Sequence, residues 1–78
     1  VIKTVEYWYV EFNERLENVY EWTRKAVCIA QHPSKWIKCK REFDGDTCKM
    51  TGNVRTLWEI VSANPITKDD YDIFMRDN

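Results

Sequence analysis

Apolar and polar positions alternate at close to period two along Val1–Phe12, VIKTVEYWYVEF, where β-branched and aromatic residues are broken by Lys3, Glu6 and Glu11. That pattern predicts a strand. One face carries Ile2, Thr4, Trp8, Val10 and Phe12, the other Val5, Tyr7 and Tyr9. Neither face is plainly polar, so the strand is expected to be covered on both sides or to present a partner surface. The period then lengthens. Leu16, Val19, Tyr20, Ala26, Val27 and Ala30, with Thr23 on the same stripe, recur at helical steps. Asn13 suits the cap, Glu14 and Glu17 the first turn, and Arg24 and Lys25 the later part, so residues 14–31 are expected to be helical. His32 and Pro33 are expected to end that helix. Trp22, Cys28 and Ile29 fall off its stripe.

Lys35–Phe43 alternates again, and Asp44-Gly45 is a tight-turn signal before Asp46–Met50. A hairpin with that turn gathers Ile37, Cys39, Phe43, Cys48 and Met50 on one face. Its other face shows Trp36, Lys38, Lys40, Glu42, Thr47 and Lys49. After the turn Thr51-Gly52-Asn53, Val54–Ser62 is expected to be a strand, with a helix capped by Asn53 as the competing reading. Thr67 and Asp70 form a capping box ahead of a helix over 68–76, anchored by Tyr71, Phe74 and Met75. The expected fold is α+β: one small domain spanning residues 1–78, order β-α-β-β-β-α, with an antiparallel sheet and helices packed mainly on one face.

Composition narrows the function classes. Seventy-eight residues at this size bury a small core and leave little room for an elaborate active site. Eleven aromatics against two Gly and two Pro argue for a folded chain. No apolar run approaches the roughly 20 residues needed to span a bilayer, and no signal or transit segment is visible, so no membrane association is expected. Cys28, Cys39 and Cys48 form an odd set, which fits a reducing, cytoplasmic setting better than a disulfide scaffold. The net charge of −1 conceals segments of −3, +4 and −2 over 1–23, 24–49 and 50–78.

Cys28, His32, Cys39 and Cys48 are the candidate metal ligands. Residues 28 and 32 are one helical turn apart, and 39 and 48 are diagonal on the expected hairpin, so four soft ligands could surround zinc. The spacing matches no zinc signature, and the plainer expectation is cysteines acting as small core residues with no cofactor. No nucleophile, phosphate loop, dinucleotide fingerprint or calcium loop is present, so an enzyme is not expected.

Two binding readings remain. Lys35, Lys38, Lys40 and Lys49 beside Trp36 on the outward hairpin face, with Arg24 and Lys25 nearby, suit a phosphate backbone and a stacked base. Against nucleic acid stand the acidic ends of the chain. The favoured expectation is a non-enzymatic protein-binding domain, an inhibitor or adaptor of the kind a virus or mobile element encodes. It would act through Tyr7, Tyr9, Trp22, Trp36, Lys38, Lys40 and Lys49, because Tyr and Trp dominate protein interfaces. A homodimer is a further expected use of the same aromatic surplus.

Overall fold

The alternating N-terminal segment forms the central strand, β1 (Tyr7–Leu16), of a three-stranded sheet. The computed structural model describes residues 5–52 and 54–77, with the backbone alone for 46–49, 51 and 77. After β1 come β2 (Thr23–Ile29), α1 (Pro33–Thr51), β3 (Thr56–Ile66) and α2 (Lys68–Asp77). Both partner strands run antiparallel to β1, in the order β2-β1-β3. The fold is α+β with an antiparallel sheet, as the pattern implies, but the middle of the chain is built differently.

Residues 14–31 are not helical. β1 runs through Leu16, the chain turns over 17–22, and it returns as β2. Cross-strand pairing supplies the reason. Lys25 Nζ meets Glu14 Oε1 at 2.8 Å and Arg24 Nε donates to Asn13 Oδ1 at 2.9 Å, so charges suited to a helix dipole pair across a ladder instead.

The expected hairpin over residues 35–50 is likewise replaced, by the single helix α1. Pro33, Trp36, Ile37, Lys40 and Asp44 recur at three- and four-residue steps, and all are buried or half-buried. The proline taken as a helix stop is a helix start: it occupies the first position, where its missing N–H costs nothing. His32 caps that end, its carbonyl accepting from Lys35 N and Trp36 N and its Nδ1 from Ser34 N at 3.2 Å. Gly45 stands mid-helix at a cost of about 1 kcal/mol, and Gly52, at φ 71°, supplies the left-handed residue after the last turn.

The core is the contact between α1 and one sheet face. Val10 is fully buried, with Phe12, Ile29, Trp36 and Ile37 around it and Trp8, Val27, Trp58, Ile60 and Ala63 at the margin. A bulge in the β1–β3 ladder, where Glu11 faces Ser62 but Phe12 faces Ile60, adjusts β3 so that both Ala63 and Ile60 reach this core. The second helix meets the other face. Tyr7 alternates with Trp8, and its ring packs on Tyr71 of α2 at 4.9 Å. The helices are therefore divided between the two faces rather than gathered on one. As the sequence implies, Thr67 caps α2, its Oγ1 accepting from Asp70 N at 3.1 Å.

Candidate protein-docking surface

Trp36 is not on a surface. It is a core residue, its ring meeting Phe12 edge-on at 5.2 Å between centroids. A strand would have sent Trp36 and Ile37 to opposite faces, whereas a helix turns both toward the sheet. Lys40 follows one turn later, its ammonium 5.3 Å from the centroids of both Trp36 and Trp58. Its charge is thus spent on holding α1 against β3. Arg41 Nη2 donates to the Trp58 carbonyl at 3.1 Å. Lys35 and Lys38 are exposed on α1, and the side chain of Lys49 lies outside the described residues. The hairpin expected to carry a basic face is thus a helix, and Lys40 is turned toward the sheet while Lys35 and Lys38 stay exposed.

The soft-ligand set is separated in the same way. Cys28 is buried in β2, where burial, and secondarily Asp70, pushes its thiol up. Cys39 is an exposed thiol on α1, and the Cys48 side chain lies outside the described residues. In a helix, residues nine apart stand about 13 Å apart along the axis, which removes the diagonal pairing of 39 with 48. His32 is engaged in capping and packs edge-on against Trp8 at 5.3 Å. Among the described residues no three metal-ligating side chains converge.

Of the aromatic candidates, Tyr7 and Tyr9 are half-buried on the α2 side of the sheet, and Tyr7 is occupied by Tyr71. Trp22 alone stands in an open position, at the end of the β1–β2 connection. There it joins Leu16, Val19 and Tyr20, all exposed, with Tyr20 at 92%. Leu16, Val19 and Tyr20 are three of the positions whose spacing fits a helical stripe. Glu17-Asn18, a polar pair with a turn-forming Asn inside the apolar run, is the signal that marks the reversal.

This tip has a defined conformation. Val19 N donates to the Leu16 carbonyl and Glu17 N to the Arg55 carbonyl, each at 2.9 Å. Arg15 Nη1 donates to the carbonyls of Leu16, Glu17 and Val19 at 3.3, 3.2 and 2.9 Å, and its guanidinium lies 4.8 Å from the Trp22 ring centroid. One cation thus satisfies turn carbonyls and fixes an indole. Beside the tip is an open cleft of about 320 Å³ lined by Glu14, Arg15, Leu16, Val19, Glu21, Thr23 and Thr56.

No protein-family model, curated protein or solved structure matches the chain.

Proposed function

We propose that the chain is a non-enzymatic protein-binding domain, an inhibitor or adaptor that modulates a partner protein through the tip formed by Leu16, Val19, Tyr20 and Trp22. The observation that carries this reading is Tyr20. Its side chain is 92% exposed, yet it stands in a connection whose backbone is tied down by Arg15 and by the Arg55 carbonyl just ahead of β3. An aromatic that adds nothing to the core, held on an ordered turn, offers rigid contact area at little entropic cost. The free thiols of Cys28 and Cys39 suit a reducing cytoplasmic setting. A role as an accessory factor of a virus or mobile element belongs to the same proposal.

The test is affinity capture from the native host with the wild type, Tyr20→Ala and Trp22→Ala, all checked for the same cooperative melting. Both variants should lose a protein that the wild type retains. Equal capture by all three removes the tip as the binding surface.

A further inference from the structure

We propose that α2 is a lid on the sheet, one that opens while the sheet and α1 stay folded and thereby uncovers Cys28 and Tyr9. The two faces of the sheet are closed in different ways. On one, α1 buries Trp36 and Ile37 against Val10. On the other, Cys28 is 7% exposed although it lies outside that core, because strand alternation sets it beside its cross-strand partner Tyr9 and on the same side as Tyr7. The cover comes from α2: Tyr71 packs on Tyr7, and Asp70 lies close enough to act on the Cys28 thiol. Yet none of residues 68–76 is itself buried, and Ile73 and Met75 are more than half exposed.

A helix that covers a buried residue without burying any of its own is held by little apolar area, and such elements open at free energies below that of global unfolding. The bonds that fix the start of α2 are local, Asp70 N to Thr67 Oγ1, Tyr71 N to the Thr67 carbonyl and Lys68 Nζ to Asp72, so they do not restrain its docking. Ten residues are also too few for a stable isolated helix, which couples undocking to unwinding. Only Thr67 separates α2 from β3, so reclosure loses almost no chain entropy and the closed form dominates.

The test follows alkylation of Cys28 by iodoacetamide in the full native chain, resolved by peptide mass spectrometry, beside amide exchange at the same pH and with alkylation rates proportional to reagent. Ile37→Val, a change on the α1 side, should speed exchange at Val10 several-fold through global unfolding. It should leave the Cys28 rate unchanged, because the closed and open forms lose the same contact. Tyr71→Ala acts on the docked lid and should speed both Cys28 alkylation and exchange at Ile73 by about tenfold. In urea below the unfolding transition, the Cys28 rate should rise less steeply than exchange at Val10, since the lid exposes less surface than the whole chain. A Cys28 rate that follows Val10 in Ile37→Val or in urea means that the thiol is reached only by global unfolding and overturns the proposal. A Cys28 rate unmoved by Tyr71→Ala overturns it as well.

Discussion

The Trp58 indole N–H donates to Glu14 Oε2 at 2.7 Å, joining β3 to the central strand on the side where Lys40 packs. The other carboxylate oxygen accepts from Lys25 at 2.8 Å, so Glu14 ties the two outer strands to β1. The Lys25 hydrogen bond foremost holds its carboxyl below the ordinary value of 4.5; burial, the next largest effect, opposes it and is outweighed with the help of the Trp58 hydrogen bond and the charges of Lys25 and Lys40. A depressed folded-state pKa stabilises the fold above the unfolded value, and this stabilisation is lost as pH falls through the folded one.

Glu14→Gln should therefore lower stability by about 1 to 2 kcal/mol at neutral pH, the scale of a hydrogen bond to a charged group. The gap between wild type and variant should narrow as the pH drops below about 4.5. Urea midpoints measured from pH 7 to pH 3 check this. A gap independent of pH would show that the Glu14 charge contributes nothing to the fold.

Trp36 and Tyr20 should respond oppositely to truncation. Trp36→Ala removes a core ring packed on Phe12 and is expected to cost about 3 to 5 kcal/mol, a large share of a small domain's stability. Tyr20→Ala removes an exposed ring and should change stability by no more than about 0.5 kcal/mol. Thermal melts of the two variants decide it.

How much of this was legible depended on whether polar residues took part in the pattern. β1 and α2 could be read because β1 is a β-branched and aromatic run at period two, with Val10 and Phe12 on one face, and because Thr67 stands as a cap ahead of the helix. The Trp58 and Ile60 face of β3 was also visible, but the bulge near Val61, which changes parity farther along, has no signature in the residues. α1 was misread because the lower half of its inward stripe is Lys40 and Asp44. These two are drawn inward by the rings of Trp36 and Trp58 and by the Thr56 N–H, which Asp44 Oδ2 accepts at 3.0 Å. Trp58 and Thr56 are distant in sequence, so periodicity of apolar residues cannot register them. The tip shows the converse: Leu16, Val19 and Tyr20 fit a helical stripe, yet all three are exposed on a turn.

The two described thiols should differ in reactivity. Alkylation requires the thiolate and access to it. Cys39 is exposed, whereas Cys28 is buried with its thiol pushed up. Peptide-resolved mass spectrometry after brief iodoacetamide treatment of the native protein should show Cys39 modified well before Cys28, with the difference abolished in denaturant.

His32 should matter as a hydrogen-bond acceptor. His32→Ala removes the side-chain cap of α1 and should cost about 1 kcal/mol, while His32→Asn or His32→Asp should retain most of the stability because both are favoured caps. Part of any shortfall in the replacements belongs to the lost contact with Trp8. Denaturant midpoints of the three variants separate capping from packing. Equal loss in all three would assign the effect to the ring alone.

Arg15 sets the conformation of the tip, and lysine cannot reproduce its role. A guanidinium directs several N–H groups in a fixed plane and stacks on an indole, whereas an ammonium is a point charge on a flexible stem. In Arg15→Lys, turn carbonyls would have to find water and Trp22 would lose its flat partner. The core at Val10 and Trp36 is untouched by that change. The melting temperature should accordingly move little, while amide exchange at Glu17 and Val19, whose N–H groups bond to Arg55 and Leu16, should speed up by an order of magnitude or so through local opening. Hydrogen exchange of the two proteins measures this directly. Unchanged protection at both amides would mean that the backbone bonds hold the turn without Arg15, and that the guanidinium serves only Trp22.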